Sequence, residues 1–368
     1  MATTHFLMIG GFLGAGKTTA IARLARHYTE QGLRVGIVTN DQAFGLVDTH
    51  SLRAKGFDVR EVPGACFCCK FEELVETAAQ LGAEHQPDIL LTEPVGSCTD
   101  LVATVLRPLQ YLFGDRYALG PLAVLCKPEH GQKILGGHSS GFSPQAAYIF
   151  LKQLEEADLL VLNKIDRLSV TQQDELLNLL STRFPSKRIF ATSSVTGAGY
   201  PELIEALNNS PQSKDGTLEL DYDTYTAGEA ALGWLNASTK FTSSTNGWSM
   251  DTLAVALVHD FQKVLTDAHM EPGHVKVLAS ADSAMSIANW VASEEPVELS
   301  VAANLDVSSA DVLINVRVHG NPDTLAKLVK QSLETVANQQ QLDLQISNWQ
   351  HFQPGAPEPV HRFATPTG

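Results

Sequence analysis

Short apolar runs alternate with amphipathic stretches along the first 209 residues of the chain. The apolar runs are "HFLMIG", "RVGIVTN", "DILLTE", "PLAVLC", "DLLVLNK" and "RIFATSS". Between them, stretches such as "KTTAIARLARHYTEQG", "PQAAYIFLKQLEEA", "TQQDELLNLLSTRF" and "YPELIEALNN" repeat apolar residues with the helical period. Strands that alternate with helices are typical of a parallel sheet with helices on both faces. The pattern predicts an α/β fold for residues 1–209.

The pattern changes after residue 209. Residues 210–226 are polar and acidic and contain Pro and Gly, which predicts an exposed linker. Residues 227–368 combine strand patterns with two helices, "MDTLAVALVHDFQKVLTDA" and "NPDTLAKLVKQSLETVANQQ". This order predicts a smaller α+β domain of ferredoxin-like type. Two domains also agree with the length of 368 residues, because a single hydrophobic core rarely grows so large.

Glycines cluster where the first predicted strand meets the first predicted helix. "GGFLGAGKTT" has the P-loop spacing G-x-x-x-x-G-K-T in the context that a P-loop requires. In such a loop the backbone N–H groups surround a phosphate, the lysine neutralises the terminal phosphates and the hydroxyl binds Mg²⁺. The flanking elements disfavour a glycine-rich turn with a chance lysine. The predicted nucleotide-binding residues are Gly11, Gly14, Ala15, Gly16, Lys17, Thr18 and Thr19, with Thr18 also predicted to bind Mg²⁺.

A second nucleotide signal, "NKID", follows the buried strand "DLLVLNK" and contains Asn163, Lys164 and Asp166. A carboxylate at the rim of a nucleotide pocket accepts both N1–H and N2–H of guanine, a pair that adenine lacks. Because this motif follows a P-loop and ends a parallel strand, it predicts GTP as the nucleotide. Ser193, at the end of the next strand, is predicted to contact the base, with an ordinary strand-to-helix loop as an equal alternative.

Two acidic residues end predicted strands on the phosphate side. Asp41 in "VTNDQAFG" and Glu93 in "LLTEPVG" would both face the ligand, since ligands bind beyond the carboxyl ends of such strands. One is predicted to hold Mg²⁺ through water and the other to orient the attacking water, with Gly96 meeting the γ-phosphate through its N–H. Together with Lys17 they form the predicted catalytic set. Each carboxylate has a helix N-cap or a solvated loop position as its alternative.

Three of the five cysteines lie within four positions, in "GACFCCKF". Cys66, Cys68 and Cys69 precede an amphipathic helix, and a helix N-terminus stabilises thiolates, which are the form that binds metal. Three thiolates suit Zn²⁺, or another soft divalent metal such as Co²⁺ or Ni²⁺, with a fourth corner open for transfer. The alternatives are small buried residues or a redox pair. For Cys98 and Cys126, an ordinary buried position is favoured over a ligand.

The net charge of −15 argues against partners that are bound through bulk electrostatics, namely nucleic acid and anionic membranes. The opening residues lack the basic start and the length of a signal peptide, and no apolar run approaches a membrane span. We therefore expect a cytoplasmic protein. In that reducing compartment, clustered cysteines are more often metal ligands or redox groups than disulfides.

The ordered set "GGFLGAGKTT", "ND", "GACFCC", "EPVG" and "NKID" resembles the CobW-type metallochaperone GTPases, relatives of the urease and hydrogenase nickel-insertion GTPases. The resemblance implies that GTP binding and hydrolysis are coupled to the binding of a metal and its delivery to an unidentified client metalloprotein. It implies that Asp41 and Glu93 serve the catalytic centre, that Asp166 reads guanine and that the C-x-C-C cysteines bind the metal. A homodimer that depends on the nucleotide is a further expectation.

Two other functions stay open. A GTP-gated interaction protein would have structural cysteines and deliver no metal, and its working surface would be the C-terminal domain. A P-loop kinase for a small molecule is disfavoured because "NKID" would have no role in it. Because the sequence identifies no arginine finger in cis, we expect slow intrinsic hydrolysis.

Overall fold

The N-terminal half is built around a parallel β-sheet. The computed structural model describes residues 3–42, 46–81, 86–137, 143–210, 212, 218–244 and 247–363. Eight strands within these ranges form the sheet: β1 Thr4–Gly11, β2 Val35–Asp41, β3 Asp58–Pro63, β4 Ile89–Glu93, β5 Tyr117–Leu119, β6 Ala123–Cys126, β7 Leu159–Leu162 and β8 Arg188–Ala191. They are ordered β3-β2-β4-β1-β6-β7-β8, and β5 also pairs with β1. The predicted α/β fold is confirmed.

Helices cover both faces of this sheet. They are α1 Lys17–Glu30, α2 Val47–Ala54, α3 Phe71–Leu81, α4 Arg107–Phe113, α5 Pro128–His130, α6 Pro144–Glu156, α7 Val170–Arg183 and α8 Tyr200–Asn209. Strand β1 shows why both faces are apolar, because Phe6 and Met8 enter one hydrophobic core while Leu7 and Ile9 enter the other. No helix in the described ranges is long and apolar enough to cross a membrane.

The C-terminal part contains an antiparallel sheet with two long helices. Its elements are α9 Tyr222–Ala230, β9 Leu232–Thr242, β10 Trp248–Ser249, α10 Met250–Asp267, β11 Glu271–Ala281, β12 Ala284–Trp290, β13 Glu298–Val301, β14 Asp306–Val307, β15 Ser309–His319, α11 Pro322–Gln340 and β16 Asp343–Phe352. The sheet order is β13-β12-β11-β15-β9-β16. Elements β9, α10, β11, β15, α11 and β16 follow the ferredoxin-like order that the sequence predicts, and β12 and β13 extend one edge.

The two faces of this second sheet have different partners. On β11, Val275 and Val277 belong to the core that also contains residues of α10 and α11. Leu278 points the other way and packs against Val47 of α2. Because side chains alternate along a strand, Lys276 shares the second face. The C-terminal sheet therefore lies directly against the nucleotide-binding side of the first sheet.

Helix α9 begins inside the segment 210–226, for which the sequence predicts a linker. Asp221 caps it by accepting hydrogen bonds from the N–H groups of Asp223 and Thr224. At Gly228 a Cβ atom would lie only 2.7 Å from the carbonyl oxygen of Gln145, so α9 packs closely against α6. Residues 211 and 213–217 of the expected linker lie outside the described residues. The division into domains at 1–209 and 227–368 stays a prediction.

Candidate nucleotide and metal site

A cavity of about 970 Å³ lies at the carboxyl ends of β1, β2, β4 and β7, and the C-terminal sheet forms its opposite wall. A volume of this size suits a small-molecule ligand such as a nucleotide. The predicted site residues that line the cavity are Gly14, Gly16, Lys17, Thr18, Thr19, Asp41, Glu93, Gly96, Asn163, Lys164 and Asp166. Gly11, Ala15 and Ser193 lie behind this lining.

The P-loop backbone depends on glycine. Gly14 and Gly16 have φ angles of +75° and +92°, which other residues rarely adopt. A Cβ on Gly16 would lie 2.6 Å from Nδ2 of Asn163, whose amide donates a hydrogen bond of 2.9 Å to the carbonyl of Ala15. Lys17 donates to the carbonyl of Gly11 at 2.9 Å. Asn163 of the "NKID" motif thus stabilises the P-loop through this hydrogen bond.

The two predicted carboxylates have different surroundings. Oε1 of Glu93 accepts a hydrogen bond of 3.0 Å from the Thr18 hydroxyl, while its Oε2 has no partner among the described residues. Burial raises the pKa of Glu93 to about 7, and nearby Asp48 adds to the effect. Oδ1 of Asp41 instead accepts from Nη2 of Arg317 at 3.0 Å. The two carboxylates therefore differ in their partners, which are a hydroxyl for Glu93 and a guanidinium for Asp41.

Loops after β7 and β8, where the sequence predicts that the base binds, form another part of the cavity wall. Asp166 is exposed to the cavity on the short 3₁₀ turn Ile165–Arg167. Ser193 is buried, and both its backbone groups are used inside its own loop, by Ala198 and Gly197. Its neighbours Ser194 and Val195 line the cavity in its place. The sequence pattern alone does not show which residue of this loop lines the cavity, Ser193 or its neighbour Ser194.

The three cysteines of C-x-C-C converge. The Sγ atoms of Cys66 and Cys68 are 3.0 Å apart, those of Cys66 and Cys69 are 3.3 Å apart, and those of Cys68 and Cys69 are 3.7 Å apart. Gly64, with φ of +91°, provides the turn that brings them together. A tetrahedral zinc site with Zn–S bonds near 2.3 Å has S–S edges of about 3.8 Å, so a small opening of the cluster would fit the ion.

One thiolate is stabilised inside this cluster. Hydrogen bonds from the thiols of Cys68, Cys69 and Cys98 hold the pKa of Cys66 well below its usual value, in spite of burial. The hydrogen bond to Cys66 in turn raises the pKa of Cys68 well above its usual value and that of Cys69 to about 11. Cys98, interpreted from the sequence as an ordinary loop residue, thus lies against the cluster, whereas Cys126 is buried in the core.

The cysteine loop, residues 64–70 between β3 and α3, is attached to the end of β2. The Asn40 side chain donates to the carbonyls of Val62 and Ala65, each at 2.7 Å, and accepts from the N–H of Phe67 at 2.8 Å. The N–H of Gly64 donates to the carbonyl of Asp41 at 3.0 Å. Adjacent residues of one strand therefore serve the nucleotide cavity and hold the cysteine loop.

A C-terminal segment lies across the cysteine loop. The N–H of Val360 donates to the carbonyl of Cys68 at 2.9 Å, and the N–H of Glu358 donates to Sγ of Cys69 at 3.3 Å. The ring of His361 packs edge-on against Phe71, with centroids 5.0 Å apart. The most exposed thiol of the cluster is therefore in contact with the other end of the chain.

The sequence patterns do not reveal the contributions of the C-terminal sheet. Lys276 lines the cavity and Arg317 bonds to Asp41, although both are distant from the nucleotide motifs in the sequence. The signal that could have found them is a cation inside a mostly apolar strand, "HVKVLASA" for Lys276 and "VLINVRVHG" for Arg317. Asp48 and Glu229 gave no such signal, since acidic residues on short helices are common at surfaces.

A P-loop at the end of the first strand of a parallel sheet, with carboxylates at the neighbouring strand ends, defines a P-loop nucleoside-triphosphate-binding protein. A thiol cluster beside that site is not part of the general class. Residues 5–191 match the CobW/HypB/UreG family, nucleotide-binding domain, and the chain belongs to this family.

Similar proteins agree with this assignment. The chain is 29% identical over 180 residues to the zinc chaperone YeiR of Escherichia coli K12, covering 47% of this chain and 50% of that protein. It is 27% identical over 222 residues to the zinc chaperone CobW of a Sinorhizobium species, covering 55% and 58%. It thus spans little more than half the length of these relatives.

Among solved structures, HypB from Helicobacter pylori in complex with nickel has a TM-score of 0.42 at 20% identity, covering 58% of this chain and 91% of that one. Zn(II)-bound YjiA GTPase from E. coli has a TM-score of 0.38 at 13% identity, covering 90% and 99%.

Proposed function

We propose that the protein is a GTP-hydrolysing metallochaperone whose nucleotide state controls a thiolate metal site. The observation that carries the proposal is the attachment of the cysteine loop to β2, through the side chain of Asn40 and the backbone of Asp41. A rearrangement of Asp41 on nucleotide binding or hydrolysis would pull on the loop directly. Loops ordered by a γ-phosphate and released after hydrolysis are a common switch in GTPases.

In this proposal Lys17 and the P-loop N–H groups bind the phosphates, and Asp166 recognises guanine. The Thr18 hydroxyl and the Glu93 carboxylate are oxygen donors of the kind that Mg²⁺ prefers, and Oε2 of Glu93 has no partner among the described residues. Mg²⁺ would supply charge neutralisation on the phosphates. Asp41 and Glu93 are the candidates for orienting the attacking water, and Gly96 for contacting the γ-phosphate.

In this proposal the protein carries and delivers the metal ion and does not keep it as a resident cofactor. Cys66, Cys68 and Cys69 offer three sulfur ligands, and zinc is the first candidate because the curated relatives are zinc chaperones. One stabilised thiolate, Cys66, would receive the ion first, and binding would release protons from the other thiols. We place delivery to a client metalloprotein, a cytoplasmic location and a nucleotide-dependent homodimer in the same proposal.

The test is the zinc affinity of the reduced protein, measured by competition with a chelator in the presence of GDP or of a non-hydrolysable GTP analogue with Mg²⁺. We expect one equivalent of zinc and an affinity that changes with the nucleotide. Cys66→Ser, Cys68→Ser and Cys69→Ser should each weaken zinc binding strongly, while Cys126→Ser, in the core, serves as the control. Equal zinc affinity with both nucleotides would contradict coupling. Absence of zinc binding would favour an interaction protein with structural cysteines.

A further inference from the structure

A lysine of the C-terminal sheet reaches the nucleotide cavity. Lys276 lies on the face of β11 that turns away from α10 and α11, and it lines the cavity. Its Nζ is 2.6 Å from Oδ1 and 2.5 Å from Oδ2 of Asp48. Both side chains are largely buried, with exposed fractions of 16% and 19%. An ion pair this sheltered is weakly screened by water.

The ion pair lies at the phosphate end of the cavity. Asp48 also lies near Thr18, the predicted Mg²⁺ ligand, whose side chain helps to lower the pKa of Asp48. The charges of Lys276 and Asp48 both act on Lys17 and on Glu93. Lys276 is therefore grouped with the P-loop lysine and the catalytic carboxylate, although both belong to the other end of the sequence.

Arg317, a second cation of this sheet, has a different position. Arg317 is fully buried, bonds to Asp41 and does not line the cavity. A flexible lysine can leave one carboxylate for a nearby phosphate, since its ammonium group is a mobile point charge. When a triphosphate binds with Mg²⁺, the Mg²⁺ ion would become the counterion of Asp48. Lys276 would then pair with the phosphates, which carry more negative charge than one carboxylate.

We propose that Lys276 is a phosphate-binding and transition-state-stabilising residue that the C-terminal sheet supplies in cis, with Asp48 as its counterion before the nucleotide binds. In hydrolysis, water oxygen bonds to the γ-phosphorus and the bond to the β–γ bridging oxygen breaks. GDP takes the bonding electrons and the water protons pass to phosphate and solvent. Lys276 forms no covalent bond and stabilises the negative charge that develops on the phosphate oxygens.

This inference rests on the proposed function in one respect, because the cavity must bind GTP. It adds that the C-terminal sheet supplies a residue to the catalytic site, so the rate of hydrolysis depends on the position of that sheet. The competing explanation is that the ion pair between Lys276 and Asp48 only fastens the C-terminal sheet to α2. Under our proposal, a Lys276 variant loses more affinity for a triphosphate than for a diphosphate. Under the competing explanation, the ratio of the two affinities stays as in the wild type.

The experiment compares the full-length wild type with Lys276→Ala, Lys276→Gln and Lys276→Arg, and with Lys240→Ala as the control. Lys240 lies on β9 of the same sheet and pairs with exposed Asp311. For each protein we would measure GTP turnover, the affinities for GDP and for a non-hydrolysable GTP analogue, and thermal unfolding without nucleotide.

We expect Lys276→Ala and Lys276→Gln to lower turnover by about 100-fold or more. Both should weaken binding of the analogue about tenfold more than binding of GDP, because only the analogue carries the third phosphate. Lys276→Arg should keep part of both properties, and Lys240→Ala should match the wild type.

The inference is overturned if Lys276→Ala and Lys276→Gln unfold at lower temperature but keep the wild-type turnover and the wild-type ratio of the two affinities. If Lys276→Ala fails to fold, Lys276→Gln and Lys276→Arg carry the comparison. Failure of the wild type to bind GTP would overturn the proposed function and this inference with it. If the wild type hydrolyses GTP and the Lys276 variants hydrolyse it at the same rate, only this inference is overturned.

Discussion

Glu229 is a buried acid between the two candidate sites. Its Oε2 accepts a hydrogen bond of 3.2 Å from Gln42, next to Asp41, and its Oε1 has no partner among the described residues. Burial raises its pKa to about 8, and the nearby negative charge of Cys66 adds to the effect. At neutral pH, Glu229 is therefore mostly protonated in the folded protein.

Glu229→Gln should change how stability depends on pH. The folded pKa of about 8 lies above the ordinary 4.5, so between these values the folded state holds the proton that the unfolded state releases. The wild type therefore loses stability as pH rises through this window, by roughly 1 kcal/mol per pH unit from this group. The variant lacks this contribution, and its stability relative to the wild type should increase with pH.

The measurement is urea unfolding of the reduced, metal-free proteins at several pH values between about 5 and 9. Glu202→Gln, at an exposed position of α8, provides the control. Parallel pH profiles for the wild type and Glu229→Gln would show that Glu229 is ionised in the folded protein.

Gly16→Ala should abolish nucleotide binding. The new Cβ would meet Nδ2 of Asn163 at 2.6 Å, in a backbone conformation that costs about 1–2 kcal/mol for alanine. Gly32→Ala is a matched control, because Gly32 has a φ angle of +81° and a Cβ added there would meet nothing within 4 Å. Both variants should lose similar backbone stability, but only Gly16→Ala should lose binding in a fluorescent GTP titration. Normal binding by Gly16→Ala would contradict the P-loop assignment.

At the scale of elements, the connection from β2 to the cysteine loop is the link between the two sites. Asn40→Ala removes two hydrogen bonds from that loop and a third from the end of β3, while leaving all cysteines in place. Residues that orient metal ligands typically contribute about 10- to 100-fold to affinity. We expect a loss of zinc affinity in this range and a smaller difference between the GDP and GTP-analogue states, measured by chelator competition. A full nucleotide effect on zinc affinity in Asn40→Ala would show that the coupling runs elsewhere.

Which elements were predictable depended on their burial. Strands such as β1 and β7 are apolar on both faces, and helices α6 and α7 have a clear period, so both kinds appeared in the sequence pattern. Strand β3 is an edge strand with alternating exposed residues, and α2 has only eight residues, which gave too little signal. Strand β12 lies between β13 and β11 and adds a strand to the ferredoxin-like order, so the element order alone does not predict it.

The candidate site was predictable where its residues form a contiguous motif or end a predicted strand, as Asp41 and Glu93 do. The P-loop, "NKID" and C-x-C-C each place several functional groups within a few residues, so their spacing carries the chemistry. Asp48, Lys276 and Arg317 join the site through the packing of the two sheets. Nothing in the sequence states which face of β11 meets the cavity until that packing is known.

At the scale of the whole molecule, Arg317 joins the two sheets. Its Nη1 donates to Asn236 at 2.7 Å, its Nη2 donates to Asp41 at 3.0 Å, and its guanidinium lies 4.1 Å from the ring centroid of Trp234. These contacts stabilise a charge that is fully buried, although Nε of Arg317 has no partner among the described residues. Loss of one partner from such a pair is far more costly than loss of a surface pair.

Arg317→Met should lower the free energy of unfolding by about 3–5 kcal/mol, because it breaks the buried ion pair with Asp41. Arg34→Ala is the control, since it removes a surface pair with Asp88 at 2.8 Å and should cost at most about 1 kcal/mol. Urea unfolding measures both. Equal effects of the two substitutions would show that the sheets are held together without this ion pair.

The segment that crosses the cysteine loop bears on how the protein is prepared. The N–H of Glu358 donates to Sγ of Cys69, the most exposed thiol of the cluster. A polyhistidine tag placed on the C-terminal side of this segment would be tethered near the thiols. Its imidazoles would compete for the same zinc ion, and purification on immobilised nickel would expose the cluster to a foreign metal. Zinc stoichiometry is therefore best determined on protein with a cleaved or N-terminal tag.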